Sequence, residues 1–238
     1  MLNLSYDLHI HSCLSPCGDN DMTPGNIAGM AAVKELDVIA LTDHNTCKNC
    51  PPFLEQAEKY GILAIPGMEL CTREEVHVLC LFEELAAAME FDDYVYGHLM
   101  KIKNKEAIFG EQLLVNETDE VYAKEEYLLI NAADIGFDEV ADLVKRFRGI
   151  MIPAHIDKSS TSLLSNLGFI PPDASFTCAE VKEEKETKSL KALHPYLEHC
   201  RIIYDSDAHY LEHISEPVHF LPVKERSRGE VLKALTSL

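Results

Sequence analysis

The stretch Leu4-Ser5-Tyr6-Asp7-Leu8-His9-Ile10-His11 decides how the rest of the chain is read. Leu4 to His9 reads as a short apolar strand, and the i, i+2 spacing of His9 and His11 puts two imidazoles on one strand face, where both can approach one ion. Outward from it the pattern repeats. Thr23-Pro24 offers an N-cap and a first-turn proline to a helix carrying Ile27, Met30 and Ala31. Val38 to Leu41 is a second apolar strand, ending at Thr42-Asp43-His44, and the helix after it carries Phe53, Ala57 and Tyr60 before Gly61. A third strand, Ile62 to Ile65, ends at Pro66-Gly67-Met68-Glu69, and a fourth runs Val76 to Leu81 with His77 inside it between two valines. This strand density is that of α/β units.

From about Glu83 to Asn131 the pattern loosens into a helix through Phe91, Val95, Leu99 and Ile102, then a hairpin of Leu113 to Val115 against Val121 and Tyr122. The expectation is one domain over residues 1–238 with an insertion at about 83–131. Asp138 is expected to cap a helix that Gly149 closes, followed by a strand Ile150 to Ile152 and Pro153-Ala154-His155. Phe176 to Val181, Arg201 to Tyr204 and Val218 to Leu221 supply later strands, and Val231, Leu232 and Leu235 a terminal helix. The alternation predicts an α/β fold with a mostly parallel sheet, open or closed into a barrel.

The composition, 47% hydrophobic and 26% charged, is that of a globular domain. With 21 Lys plus Arg against 40 Asp plus Glu, the formal charge is -19, a field that repels nucleic-acid phosphates and anionic membranes. The expected partner is therefore a small phosphorylated substrate, with no long nucleic acid and no membrane. Neither a signal-peptide pattern nor an apolar run of spanning length occurs, so a cytoplasmic location is expected. The 8 Cys read as mostly reduced thiols, and Cys47/Cys50 as structural, because a zinc ribbon needs a second such pair.

The polar residues decide between open sheet and barrel. His9 and His11 close the first strand, His44 the second and Glu69 the third; His155 follows the Pro-Ala strand, and Asp207 with His209 follows the strand through Tyr204. A barrel brings strand ends onto one rim, so this distribution favours closure. Imidazole and carboxylate suit Zn, Mn or Fe, and eight such groups exceed what one tetrahedral ion uses, which points to two or three divalent ions. Glu69 has two oxygens with which to bridge them.

The segments Asp7-Leu8-His9-Ile10-His11-Ser12, Thr42-Asp43-His44-Asn45, Pro66-Gly67-Met68-Glu69, His77, Pro153-Ala154-His155 and Asp207-Ala208-His209 resemble, in order and spacing, the motifs of the polymerase and histidinol phosphatase (PHP) family. The resemblance implies a distorted seven-stranded (β/α)7 TIM-like barrel, a trinuclear metal centre and phosphoester hydrolysis. It implies ligand roles for His9, His11, His44, Glu69, His77, His155, Asp207 and His209, with Asp43 supporting its neighbour. One departure stands out. Where the family supplies a further loop ligand, this chain reads Ser15-Pro16-Cys17-Gly18-Asp19, so Asp19 is the expected metal ligand and Cys17 the alternative.

The expected activity is hydrolysis of a small phosphomonoester, a histidinol phosphate-like metabolite or a nucleotide, by hydroxide generated at the ions. Asp207 or His209 would move a proton to the leaving group, and Arg73 and Lys158 are the candidate substrate-binding cations. The alternatives are an exonuclease or oligonucleotide-end phosphoesterase and, outside enzymology, a thiol-rich metal-binding module built on Cys17, Cys47, Cys50 and Cys71. A metal-dependent amidohydrolase also uses His-x-His, but typically with a bridging lysine at a strand end, where this sequence places none.

Overall fold

A computed structural model describes residues 1–237. The chain runs β1 (Leu2–Ile10), α1 (Pro24–Val33), β2 (Val38–Leu41), α2 (Cys50–Lys59), β3 (Leu63–Cys71), β4 (His77–Phe82) and α3 (Leu85–His98). It continues through α4 (Glu106–Phe109), β5 (Leu113–Val115), β6 (Val121–Lys124), α5 (Phe137–Arg146), β7 (Gly149–Pro153) and α6 (Leu163–Leu167). β8 (Cys178–Glu180), α7 (Thr187–Leu193), β9 (Arg201–Ile203), β10 (Phe220–Val223) and α8 (Arg228–Thr236) complete it. Local chemistry sets several boundaries. Thr23 caps α1 by accepting from the Asn26 amide, and Gly61, at φ +69, lets the chain leave α2. At α5 the cap position is Gly136 rather than Asp138, and the Glu139 carboxylate accepts the Gly136 N–H at 2.7 Å.

The α/β class is as expected, but the sheet is mixed rather than mostly parallel. Its six strands lie in the order β10-β1-β2-β3-β4-β7. β1, β2 and β3 are parallel, whereas β4 is antiparallel to both β3 and β7, and β10 to β1. The sheet curls, and the separate parallel pair β8–β9 is tied to both of its flanks. Ile156 beyond β7 donates to Glu180 O (2.9 Å), and His11 beyond β1 donates to Ala208 O (3.0 Å). The reversal of β4 relocates two site residues. His77 is the first residue of β4, not inside it, and Glu69 lies within β3, facing Leu79 in the ladder. Because β4 starts where β3 and β7 end, His77 still reaches the common rim.

Two apolar clusters sandwich the sheet. Leu4, Tyr6, Leu8, Val38, Ala40, Ile65, Leu79 and Leu81 pack inside with Val231, Leu232 and Leu235 of α8. Ile10, Ile39, Leu41, Met68, Val78, Cys80 and Phe82 face Phe53, Phe91 and the other helix residues. Period-2 alternation would put Ile10 on the same face as Leu8, yet the two belong to opposite clusters. The cause is a register shift between Asp7 and Ile10, a bulge that inserts one residue against β2 and turns the following side chains over. The Leu8 N–H in this bulge donates instead to the Asp205 carboxylate at 2.7 Å.

The segment after β4 packs on the domain as α3, α4 and the β5–β6 hairpin. α3 ends at His98, so Leu99 and Ile102 lie beyond it, and Leu99 joins Leu14, Leu114 and Leu129 in a small buried cluster. No helix among the described residues is long and apolar enough to cross a membrane. Close packing also fixes Gly67, where a Cβ would lie 2.7 Å from Leu81 Cδ2, 3.0 Å from Cys80 O and 3.2 Å from Thr42 Cγ2. Gly67→Ala is expected to destabilise the fold by about 1–3 kcal/mol, read as a lower urea midpoint at unchanged m-value.

Candidate metal centre

The curled sheet delivers eight ligand-type side chains to one rim. The bulge in β1 aims His9 and His11 inward; His44 follows β2, Glu69 lies near the end of β3, His77 opens β4, His155 follows β7, and Asp207 and His209 follow β9. Three residues at or beside these positions adopt left-handed backbone: Asn45 (φ +51), His155 (φ +30) and Asp207 (φ +55). Such strain in non-glycine residues persists only where surrounding bonds over-determine it. Asn45 supplies an example, since its Nδ2 donates to Leu129 O and Asn131 O (2.7 Å each) and its Oδ1 accepts the Cys71 N–H at 2.8 Å.

The hydrogen bonds around the first two histidines fix where their lone pairs point. His9 Nδ1 meets Glu180 Oε2 at 2.9 Å, and a carboxylate only accepts, so that nitrogen carries the proton. His11 Nδ1 meets Ser15 Oγ at 2.9 Å, while the Ser15 hydroxyl donates to Asp43 Oδ1 at 2.7 Å, so here too Nδ1 is the donor. With both rings neutral, the two Nε2 lone pairs face each other 3.1 Å apart. That opposition is relieved by a cation between them or, without one, by a second proton on His9, whose pKa the Glu180, Glu69 and Asp207 carboxylates raise against its burial. His44 Nδ1 and Glu69 Oε2 repeat the arrangement, 2.9 Å apart without hydrogen-bond geometry, and with His155 Nδ1 they are buried and otherwise unpartnered. Three overlapping groups have ligand atoms within 4.8 Å of one another: His11/His44/His209, His9/His11/Glu69 and His44/Glu69/His77. The residues present fit metal ions, and the shared members fit adjoining ones.

Without a cation, the buried carboxylates keep protons on some of these imidazoles and leave others neutral. Glu69 is fully buried, yet three histidines around it outweigh that burial and hold its carboxyl well below the usual range. Burial and the neighbouring cationic histidines push His44 down to about 3; burial and His11 push His209 down to about 4, which leaves both imidazoles neutral and free to ligate. Burial opposes charge on His77, but the Glu69 carboxylate 2.9 Å away raises it to about 10. Asp207 is held below the usual carboxyl range by His9 and His11 despite its burial, and its Oδ2 accepts from Lys158 Nζ at 2.9 Å.

Several sequence-level candidates divide here. Lys158 is at the site. As a charged ammonium donating to Asp207 it has no lone pair for a metal, so it does not supply the bridging lysine of an amidohydrolase. Arg73 is not at the site: in the turn after β3 it is exposed and donates to Asp134 Oδ1 at 2.8 Å, which corrects its expected role. Asp19 belongs to none of the three ligand groups among the described residues; its carboxylate accepts the Asp21 N–H and its own N–H donates to His209 O. Cys17 is an exposed residue whose sulfur faces the site's field, with partial burial and then Glu69 and Asp207 pushing the thiol up to about 12. Cys47 and Cys50 are buried behind β3, both donating to Gly67 O, and no ligand group contains a thiol, which removes the basis for a thiol-rich module. Asp43 accepts from Ser12 N, Ser12 Oγ and Ser15 Oγ and so holds the loop that orients His11. Sequence reasoning missed Glu180, which closes β8, fully buried. Its place at the end of an apolar strand was the available signal.

Comparison with known proteins gives a family-model match to "PHP domain" over residues 7–167, more than half of the chain. The "5'-3' exoribonuclease Rnm" of Salmonella typhimurium is 31% identical over 86 residues, 34% of this chain and 28% of that protein. Among solved structures, the lesion-specific endonuclease PfuEndoQ from Pyrococcus furiosus superposes with a TM-score of 0.69 at 20% identity, over 99% of this chain and 56% of that one. A putative metal-dependent phosphoesterase from Bifidobacterium adolescentis gives 0.63 at 17% identity, over 98% of this chain and 97% of that one. The chain thus spans about a quarter to a half of the length of the two nucleases. These matches overturn the expected exclusion of long nucleic acid. Physically, a net charge of -19 is summed over the whole surface, whereas salt screens charges beyond roughly 8 Å, so it does not set the potential at one rim.

Proposed function

The chain belongs to the PHP domain family of phosphoester hydrolases, and from that premise we propose that its substrate is nucleic acid, cleaved at or near a strand end. The observation that carries the chemistry is the approach of His9 Nε2 and His11 Nε2 to 3.1 Å beside the buried carboxylates of Glu69 and Glu180. The substrate class is supported by the exoribonuclease and endonuclease among the relatives. The reading includes two or three Zn, Mn or Fe ions, which His9, His11, His44, Glu69, His77, His155, Asp207 and His209 would hold. It also includes one domain in which β8 and β9 complete a seven-stranded, TIM-like ring with β1, β2, β3, β4 and β7.

Such ions supply Lewis acidity to a phosphoryl oxygen and activate water for in-line displacement. The chain's residues do the rest. Glu180 and the Ser15–Asp43 pair hold the His9 and His11 rings in the tautomer that offers Nε2. Lys158, half-exposed beside Asp207, orients a phosphate oxygen through its remaining donors. His209 is the most open imidazole of the set, and its Nδ1 donates to Asp207 O at 2.8 Å, which leaves Nε2 as the atom that would face an ion.

The test is turnover of end-labelled RNA and DNA oligonucleotides beside a panel of small phosphomonoesters, with Mn, Zn or Fe loaded and after chelation. Shortened oligonucleotides that vanish on chelation and return with metal are the expected result. Metal-loaded protein that hydrolyses a small phosphomonoester and leaves every oligonucleotide intact would overturn the reading.

A further inference from the structure

In a chain with 40 acidic and 21 basic residues, the run Gly97-His98-Leu99-Met100-Lys101-Ile102-Lys103-Asn104-Lys105 contains no acid and three lysines. It leads from α3 into α4 and is open to solvent, with Met100 59%, Ile102 46%, Ile108 69% and Phe109 41% exposed. Lys101, Lys103 and Lys105 alternate with other residues, and an antiparallel pairing of Lys103 with Tyr127 keeps the segment extended.

The chain just past this segment packs on the loop that follows His11. Gly110, at φ +92, approaches Pro16 so closely that a Cβ would lie 2.4 Å from Pro16 O. Leu113 N donates to Cys13 O at 2.8 Å and Asn20 Nδ2 to Glu111 Oε2 at 2.7 Å. Pro16 directly follows Ser15, whose hydroxyl orients His11. Phe109, next to Gly110, is therefore an exposed aromatic ring beside the loop that holds a metal-site histidine.

The lysines are available to phosphate. Lys103 Nζ meets Glu126 at 2.8 Å, but both side chains are more than half exposed, and such a pair holds its cation weakly. Lys101 is the exception, since its Nζ donates to Tyr96 O at 2.6 Å and lies over the Tyr96 ring, 3.1 Å from its centre. Lys105 has no acid partner among the described residues. Cations along an extended segment plus an exposed aromatic ring are the combination that binds single strands, the cations following the backbone and the ring stacking on a base.

We propose that Met100 to Phe109 is the track on which a single-stranded nucleic acid lies as its end enters the metal centre, with Lys103 and Lys105 on phosphates and Phe109 on a base. This rests on the nucleic-acid reading above and deepens it. A partner protein would find the same apolar side chains, but the three lysines before Glu106, which itself pairs with Lys124 at 3.0 Å, match a polyanion. The segment also shows how a net charge of -19 can hide a local basic stretch.

The probe is a fluorescein-labelled single strand of about twelve nucleotides with phosphorothioate linkages, so that binding is measured by anisotropy without turnover. Wild type is expected to bind with an affinity that falls steeply with salt. Lys103→Ala/Lys105→Ala should lower the slope of log affinity against log salt by about 1.4, and Phe109→Ala should weaken binding roughly 5- to 100-fold. Hydrolysis of bis(4-nitrophenyl) phosphate by both variants should match wild type. Wild-type affinity in both variants, or no binding by wild type, overturns the track, as does a changed oligomeric state with unchanged strand binding. Cleavage of oligonucleotides is scored separately, so the track and the enzymatic reading fail independently.

Discussion

Glu69→Gln is expected to lower turnover by roughly a hundred- to a thousandfold and to lower bound metal with it. The change removes no volume. It replaces one carboxylate oxygen by an amide nitrogen that has protons and no lone pair, at a position enclosed by five imidazoles. Glu69 Oε1 lies 2.9 Å from His77, 3.0 Å from His155 and 3.2 Å from His9, while Oε2 lies 2.9 Å from His44 and 3.4 Å from His11. Whichever way the amide turns, one ligand pair loses its anionic member, and removing one partner of a buried charge cluster leaves the other uncompensated. Metal counted by mass spectrometry and turnover measured on the same preparation test this, with circular dichroism to show the fold intact. Wild-type metal content and turnover in Glu69→Gln would take this residue out of the centre.

A second large effect concerns stability. Phe91 on α3 is fully buried, its ring centre 5.1 Å from that of Phe82 on β4 and 5.5 Å from that of Phe147 after α5. Phe91→Ala removes the ring joining these three elements and leaves a cavity that close-packed neighbours fill only in part, at a cost of about 3–5 kcal/mol. Domains of this kind have about 5–15 kcal/mol in all, so roughly a fifth or more of the stability goes. The melting temperature is expected to fall by roughly 6–20 °C, with metal per folded molecule unchanged because the ring lies on the helix side of the sheet, away from the rim. A shift under about 2 °C would mean that the site collapses freely and that the aromatic trio does not hold α3 in place.

The sequence made the candidate cluster legible because most of its members stand close to the point where a strand stops. His44 and His155 follow strands, as read, and α1 and α2 sit where their caps and stripes put them. What stayed hidden is non-local. The reversed β4 could not be seen in Val76 to Leu81, since a buried strand has the same apolar run in either direction, and only the ladder with β3 and β7 sets its sense. The bulge before Ile10 breaks a period of two without leaving a glycine as a mark. Glu180 looks like any acid until the fold sets it 2.9 Å from His9, 171 positions away in the chain. Arg73 misled because proximity along the chain to Glu69 says nothing about the direction in which a turn releases a long side chain.

The bulge in β1 has a consequence for how the molecule is made. Its freed Leu8 N–H is satisfied by Asp205, 197 positions further along, and Asp7 in the same stretch accepts from the amides of Ser206 and Ser215. On a ribosome, the first two histidines emerge long before the carboxylate that stabilises their backbone geometry. Closing so long a loop is a late event in folding, costly in entropy until the intervening strands have assembled. The inward posture of His9 and His11 is therefore tied to the arrival of the β9 segment, and a nascent or truncated chain lacking that segment presents the two imidazoles without the bonds that hold their pose.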